Sequence, residues 1–191
     1  DSPKKLEGKK YATWEDDIEQ AILKKLVTDN GGDFSKVKLI PYTVTNVVAS
    51  LKTDIDAIWV YYAWDGIATE RAGLKTNFLK LRDYGKELDY YSPVIIANND
   101  YLKANPEIAK KVLRAIKKGY EYAAKNPEES AKILVKNSPE LDINLVTASQ
   151  KWISKEYQSD AKEWGIIDAS RWNRFYEWLY KNKAVEREIP K

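Results

Sequence analysis

The sequence contains no cysteine, no histidine and no methionine, which is missing even at position 1. Without cysteine, the chain can form no disulfide, thiolate metal site or cysteine nucleophile. Without histidine, it lacks both the commonest general base and the commonest metal ligand of proteins. The sequence therefore favours a protein that binds a ligand without chemistry, and we expect no cofactor and no metal.

Charge and hydropathy give no argument for nucleic acid or membrane-spanning roles. The net charge is only +3, from 32 basic and 29 acidic residues that are interspersed along the chain. No run of about 18 apolar residues is present, as a membrane-spanning helix would need, and no signal peptide is visible. The 191 residues, 43% of them hydrophobic, are enough for one or two compact units.

The most informative segment of the chain is 56–66, which reads DAIWVYYAWDG. Its apolar run 57–60 is typical of a strand buried on both faces of a parallel sheet. Three rings and a carboxylate follow directly: Tyr61, Tyr62, Trp64 and Asp65. Ligands of open α/β sheets bind at the carboxyl ends of the strands, so this cluster predicts a site for a small planar ligand. The alternative is that the rings fill the core.

The first half of the chain alternates between strand and helix patterns. We predict strands at 9–13, 37–40, 57–60 and 78–81. Helices are predicted from a cap at Asp16 or Asp17 to Thr28, over 45–51, and over 65–72. This alternation is typical of βαβ units, so the fold class is α/β with a parallel sheet.

The second half has a different pattern, with one predicted strand at 94–97 and then helices. Asn105-Pro106 and Asn126-Pro127 each predict an Asn cap with Pro at the first helical position, and Asp142 and Asp168 predict two further caps. The helical spacing of the last aromatic residues predicts a buried core face: Trp172, Phe175, Tyr176 and Leu179. The apolar faces of the other helices need a sheet that this half does not supply.

Several motifs together resemble a known family. They lie at 6–11 (LEGKKY), 31–34 (GGDF), 56–66, 90–98 (YYSPVIIAN), 105–107 (NPE), 164–165 (WG) and 171–172 (RW). This combination resembles the substrate-binding proteins of ABC transporters, in the NMT1/THI5-like branch that binds pyrimidine precursors of thiamin. The fungal pyrimidine-precursor synthase shares that fold.

The resemblance implies a bilobal periplasmic binding protein fold of type II. Residues 1–88 would form lobe two, and residues 94–191 the C-terminal strand and helices of lobe one. The segment 89–93 would be a hinge, carried by Tyr90, Tyr91, Ser92 and Pro93; the alternative is an ordinary loop. The N-terminal α/β part of lobe one would then be absent from the sequence, which would explain the uncovered helices.

The resemblance also implies an aminopyrimidine ligand, of the formylaminopyrimidine or hydroxymethylpyrimidine type. Tyr62 or Tyr61 would stack on the ring, and Asp65 would accept a hydrogen bond from its exocyclic amine. Trp64 would form a pocket wall. Less certain candidates follow the first two strands: Trp14, Glu15, Tyr42 and Asn46. Trp14 could equally pack in the interior, and Glu15, Asp16 and Asp17 could mainly form a solvated helix start.

The implied protein works outside the cytoplasm, in the periplasm or as a cell-surface lipoprotein, and delivers its ligand to a membrane permease. One alternative is a relative that binds anions such as sulfonates, taurine or nitrate, but the acidic helix starts disfavour it. Another is the pyrimidine synthase, which by the resemblance depends on histidine and a cysteine-rich iron segment. This chain contains neither residue type.

Overall fold

The computed structural model of the protein describes residues 2–42 and 44–188. They form two compact units. Unit 1 contains the residues up to Tyr91 together with those from Asp168 onward, and unit 2 is Ser92–Ile167. The described α-helices are α1 (Asp17–Asp29), α2 (Val47–Thr53), α3 (Ile67–Arg71), α4 (Asn99–Ala104), α5 (Pro106–Lys125), α6 (Pro127–Asn137), α7 (Ile143–Ile153) and α8 (Ala169–Lys181).

Unit 1 is built on a small parallel sheet. Its strands are β1 (Lys10–Thr13), β2 (Lys38–Pro41) and β3 (Ala57–Ile58), in the order β2-β1-β3. Tyr11 of the central strand is opposite Leu39 on one side and Ala57 on the other. The predicted α/β class with a parallel sheet is confirmed, and the arrangement is compatible with a binding-protein fold.

Three helix caps are those that the sequence predicted, and a fourth was not predicted as a cap. Asp16 accepts a hydrogen bond from the backbone N–H of Glu19 and so begins α1. Asp142 and Asp168 begin α7 and α8 in the same way. Asn46, which the sequence suggested as a rim residue, caps α2. These helices form where predicted because a short polar side chain satisfies amide groups that the first turn leaves open.

The core of unit 1 lies on both sides of the apolar face of α1. One cluster contains Ile22, Leu26, Leu88, Phe175 and Leu179. The other contains Tyr11, Leu23, Val27 and Val37. Helix α8 therefore packs within unit 1, and the prediction that its face is a core face is confirmed for Phe175 and Leu179. The assignment of either unit to a lobe of a bilobal protein stays a prediction.

Two predicted strands are wrong, and a third is shorter than predicted. Residues 78–81 form no strand, since Phe78 packs its ring against Tyr62 and a 3-10 turn begins at Leu81. Residues 94–97 form none either; their side chains are exposed, and no sheet in the described part of unit 2 is available to pair with them. β3 ends at Ile58 and is only half-buried. The predicted helix 65–72 is a π-helical turn at Tyr62–Gly66 followed by α3.

The predicted caps at Asn105 and Asn126 are also wrong in their role. Neither side chain accepts a hydrogen bond from the helix that follows. Instead, each side-chain amide donates to a carbonyl of the preceding helix, from Asn105 to Tyr101 O at 3.3 Å and from Asn126 to Tyr122 O at 3.1 Å. Because one residue separates the two helices in each pair, its amide reaches the last carbonyls of the helix behind it.

Unit 2 exposes much of its apolar surface. No residue of α5 is buried, although this 20-residue helix has a strongly apolar face. The exposed large apolar residues of the segment 94–113 are Val94, Ile95, Ile96, Tyr101, Leu102, Ile108, Val112 and Leu113, which we call the apolar surface of unit 2. In the described part of the chain, no helix is both long and apolar enough to span a membrane.

Candidate functional site

The corner between β1 and α1 is organised by a buried carboxylate. Glu19 is only 3% exposed. It accepts hydrogen bonds from the Tyr11 hydroxyl (2.9 Å), the Thr13 hydroxyl (2.8 Å) and the backbone N–H of Trp14 (3.0 Å). Burial, with Glu19 as the neighbouring charge, raises the pKa of Tyr11. Three donors therefore fix the end of the central strand on one side chain.

This corner presents Trp14 at the carboxyl edge of the sheet. The Trp14 side chain is half exposed, and its ring centre lies 6.4 Å from that of Trp59. Glu15 has a backbone φ of 62°, which is uncommon for a residue other than glycine, and its N–H donates to the Thr13 hydroxyl at 3.0 Å. Glu15 itself is exposed. The sequence analysis missed Glu19, although its position three residues after the Asp16 cap was a signal for a second capping side chain.

The turn after β3 holds the central motif of the sequence. The Tyr62 ring packs on Phe78, with centres 4.6 Å apart, and its hydroxyl donates to Glu70. This hydrogen bond, with some burial, raises the pKa of Tyr62. Gly66 makes the packing possible, since a Cβ there would lie 2.4 Å from Cδ2 of Tyr62. Tyr61 is 59% exposed and so is the freer of the two rings predicted to stack.

A pocket of about 430 Å³ lies between α2 and the turn that leads to α3. It brings together three of the predicted site residues, Asn46, Trp64 and Asp65. The other lining residues are Thr45, Val47, Val48, Ala49, Lys52 and Ala68. Lys52 was missed because it lies in the last turn of α2, away from the motif. Trp14, Glu15, Tyr42, Tyr61 and Tyr62 do not line this pocket.

The pocket combines an acceptor, donors and an aromatic surface. Asp65 is half-buried, and burial raises the pKa of its carboxyl group. The Oδ1 atom of Asn46 accepts the Ala49 N–H at 3.0 Å, so the amide nitrogen of Asn46 is the group it can offer to a ligand. Trp64 exposes 38% of its surface. Among the described residues, no group of three acidic side chains is arranged to hold a metal ion.

Two predicted residues lie at adjacent strand ends, outside the pocket. Trp14 directly follows β1 and Tyr42 directly follows β2, and the ends of these strands are paired at Thr13 and Pro41. The Tyr42 N–H donates to the Thr13 carbonyl at 3.2 Å, and its side chain is 48% exposed. Both rings therefore lie at the edge of the sheet where ligands of parallel sheets bind.

The predicted hinge residues are anchored on α8. The Tyr90 ring stacks on Phe175, with centres 4.0 Å apart and planes 7° apart. Burial, with smaller effects of Tyr61 and Tyr176, raises the pKa of Tyr90 to about 12. The Tyr91 hydroxyl accepts the Asp168 N–H at 2.9 Å, and the Arg171 guanidinium lies 5.2 Å above the Tyr91 ring. Ser92 and Pro93 begin unit 2.

Comparisons with known proteins relate the chain to binding proteins. The model of the family described as NMT1/THI5 like matches residues 1–130. A formylaminopyrimidine-binding protein of Halalkalibacterium halodurans is 25% identical over 99% of this chain, which spans 58% of that relative. A Brucella abortus protein with a provisional binding-protein name is 27% identical over 69% of this chain and 41% of its own length. The chain therefore spans about half the length of these relatives.

Proposed function

The chain belongs to the NMT1/THI5-like family, and on that premise we propose that it is a solute-binding protein for an aminopyrimidine of the formylaminopyrimidine type. The observation that carries the proposal is the half-buried carboxylate of Asp65 beside the Trp64 ring in one pocket. An aminopyrimidine is flat and carries N–H donors at its edge. It matches a site with an aromatic surface and a carboxylate acceptor.

The expected contacts supply part of the interaction energy of a micromolar complex. Stacking of a base on an aromatic side chain contributes about 1–3 kcal/mol. A hydrogen bond to the charged Asp65 contributes about 1.5–3 kcal/mol, and one to the neutral amide of Asn46 about 0.5–1.5 kcal/mol. Together they give about 3–7.5 kcal/mol, less than the ~8 kcal/mol of a micromolar complex even before the ordering cost of association is subtracted, so that affinity requires further contacts.

Titration calorimetry with formylaminopyrimidine tests this proposal. Asp65→Asn removes the charged acceptor and is expected to weaken binding by about 10- to 100-fold. Trp64→Ala removes the ring and is expected to cost about 5- to 100-fold. Asp83→Asn, which neutralises an exposed acid outside the pocket, is the matched control. If the wild type does not bind, or all three variants bind alike, the proposed site is wrong.

We propose further that the protein works outside the cytoplasm and hands its ligand unchanged to the permease of an ABC importer. The names of the relatives as binding proteins support this role. Mass spectrometry of formylaminopyrimidine recovered after incubation with the protein tests it, since an altered ligand would indicate an enzyme. Retention of the permease on the immobilised, ligand-loaded protein tests the partner.

An organic anion is the second candidate ligand, because Lys52 lines the same pocket as Asp65. An ammonium group can bind a sulfonate or carboxylate oxygen. Competition decides between the two kinds of ligand. If the pocket binds anions, taurine or nitrate would displace the bound anion, and Lys52→Gln would abolish anion binding. If formylaminopyrimidine binds and these anions do not compete, the pyrimidine proposal holds.

We also propose the bilobal, type II arrangement that the resemblance implies, with residues 1–88 in lobe two and the hinge at 89–93. Of the segment 94–191 that was predicted for lobe one, we keep only 94–167 there, because α8 packs within unit 1. Support comes from the apolar surface of unit 2, which needs a sheet to cover it. The match covers 58% of the formylaminopyrimidine-binding protein, so 42% of that relative lies outside it. This part is long enough to contain such a segment. The position of α8 in unit 1 requires that the last helix crosses back to lobe two.

A further inference from the structure

Glu19 is a buried charged group to which the proposed function assigns no role. Its two carboxylate oxygens accept three hydrogen bonds at the β1–α1 corner: Oε1 accepts from the Tyr11 hydroxyl, and Oε2 from the Thr13 hydroxyl and the Trp14 N–H. A carboxylate can accept at both oxygens at once. One side chain therefore satisfies all three of these donors.

The position of Glu19 connects the interior of unit 1 to its open edge. Tyr11 and Thr13 are two residues apart on β1, so their side chains lie on the same face of the strand. Helix α1 places Glu19 against that face, since Asp16 caps the helix through the Glu19 N–H at 2.9 Å. The third bond, to the Trp14 backbone, joins this buried group to a side chain that is half exposed.

The same network holds an unfavourable backbone in place. Glu15 lies in the left-handed region at φ 62°, which is unfavourable for a residue other than glycine. The Thr13 hydroxyl stabilises it by accepting the Glu15 N–H at 3.0 Å while donating to Glu19. The strained residue Glu15 directly follows Trp14, the aromatic ring that this corner exposes. A carboxylate that only filled the core would not require this strain.

We propose that Glu19 is a positioning residue that holds Trp14 as a second aromatic surface for the ligand. This surface lies at the carboxyl edge of the sheet, outside the lining of the pocket that contains Asp65. This inference rests on the proposed function, because it concerns the same aminopyrimidine ligand. Glu19 does not touch the ligand. It acts through the Trp14 backbone, so that the ring is already in place when the ligand arrives.

The test is a double-mutant cycle read by titration calorimetry with formylaminopyrimidine. Glu19→Gln keeps the size of the side chain but replaces one carboxylate oxygen by an NH2 group. This NH2 group would face hydrogen-bond donors where the oxygen accepts from them. We expect it to weaken binding about tenfold in the wild-type background and not at all in the Trp14→Ala background, where no ring remains to be positioned. An equal loss in both backgrounds would mean a general structural effect and would overturn the proposal.

A second measurement needs no ligand. The Trp14 N–H, bonded to a buried carboxylate, should exchange slowly with solvent deuterium, and Glu19→Gln should accelerate its exchange about tenfold or more. The Tyr42 N–H, which donates to the neighbouring Thr13 carbonyl, is the internal control and should change little. Unchanged Trp14 exchange in Glu19→Gln would overturn the positioning role.

The two proposals fail separately. A wild-type protein that does not bind formylaminopyrimidine overturns the proposed function, and the exchange measurement then decides on the positioning of Trp14. If Glu19→Gln does not fold, Thr13→Val takes its place in both measurements. It keeps the carboxylate and its bond to the Trp14 N–H, and removes the hydroxyl that donates to Glu19 and accepts the Glu15 N–H. It should shift affinity in the same direction by a smaller factor, again only when Trp14 is present.

Discussion

Asp65 combines two opposed physical effects in one residue. Its carboxylate is the acceptor that the proposed ligand needs, yet burial raises its pKa because partial removal from water disfavours the charged form. Such a group lowers the stability of the free protein, and in the proposed function it is kept because it binds the ligand. Perturbed acids of this kind are common in functional sites.

Neutralising Asp65 should therefore stabilise the free protein while it weakens the ligand complex. The folded-state pKa lies above the ordinary value of 3.8, so the destabilising effect is fully present above the raised pKa. It disappears as the pH falls below 3.8. We expect Asp65→Asn to unfold at a higher temperature than the wild type at pH 7, and at nearly the same temperature at pH 3. Thermal unfolding at both values, with Asp83→Asn as control, checks this; a lower melting temperature at pH 7 would contradict it.

Gly66 should not tolerate a larger side chain, because the Tyr62 ring occupies the space of its Cβ. We expect Gly66→Ala to lower the free energy of unfolding by about 1–3 kcal/mol. Gly119, within α5 and with nothing near its Cβ position, is the matched control; Gly119→Ala should stabilise by about 0.5–1 kcal/mol. Urea denaturation measures both. If Gly66→Ala is neutral, the Tyr62 ring is not held against the turn.

The sequence proposed three of the residues that line the pocket and missed others. Trp64 and Asp65 come from the motif that follows the third predicted strand, and Asn46 from the segment after the second, so the strand-end rule was sufficient to propose them. Glu19 was missed because it interrupts the apolar face of α1, where a polar residue is normally assumed to face solvent. Its position three residues after Asp16 fits a capping side chain, but its burial depends on donors from β1, which lie outside the helix.

At the scale of elements, the structure repeats one way of ending a helix. Five asparagine side chains donate their amide to the carbonyl four residues earlier: Asn30, Asn105, Asn126, Asn137 and Asn182. Asparagine is suited to this role because its side chain carries a donor, which aspartate lacks. The sequence analysis assigned Asn105 and Asn126 to the following helix because Asn-Pro-Glu also fits a helix start.

Replacing Asn126 by Asp separates these two roles. Aspartate caps a helix start as well as asparagine does, but it cannot donate to the Tyr122 carbonyl. We therefore expect Asn126→Asp to lower the free energy of unfolding by about 0.5–1.5 kcal/mol. Asp142→Asn is the matched control, because Asp142 accepts the Leu145 N–H at 2.7 Å and either residue can do so. Chemical denaturation of the two variants gives the answer, and equal stability would restore the original assignment.

Helices were predicted more accurately than strands, for a physical reason. A helix satisfies its backbone within its own segment, and its ends depend on nearby side chains, so α1, α7 and α8 could be placed from their caps. A strand needs a partner, and the segments 78–81 and 94–97 have strand-like composition without a strand beside them in the described structure. For 94–97 the composition indicates a sheet that the described residues do not provide.

For the whole molecule, the two units differ in how well they bury their apolar residues. Unit 1 has two buried clusters around α1. Unit 2 leaves Ile96 86% exposed and Val112 51% exposed, although soluble proteins rarely leave large contiguous apolar surfaces open. This contrast is what the proposed bilobal arrangement would produce, because there a partner segment covers unit 2.

The apolar surface of unit 2 should therefore tolerate charge in this chain and not in a longer one that carries the covering segment. In the 191-residue chain we expect Ile96→Lys to change the free energy of unfolding by less than about 0.5 kcal/mol and to reduce the fluorescence of a bound apolar dye such as ANS. In the longer chain the same lysine would be buried, at a cost of about 2 kcal/mol or more. Ala104→Lys adds the same charge at an exposed helix end and should be neutral in both chains. If Ile96 were already covered in the 191-residue chain, Ile96→Lys would destabilise that chain as well. Equal losses in the free energy of unfolding of the two chains would therefore show that Ile96 has no missing partner.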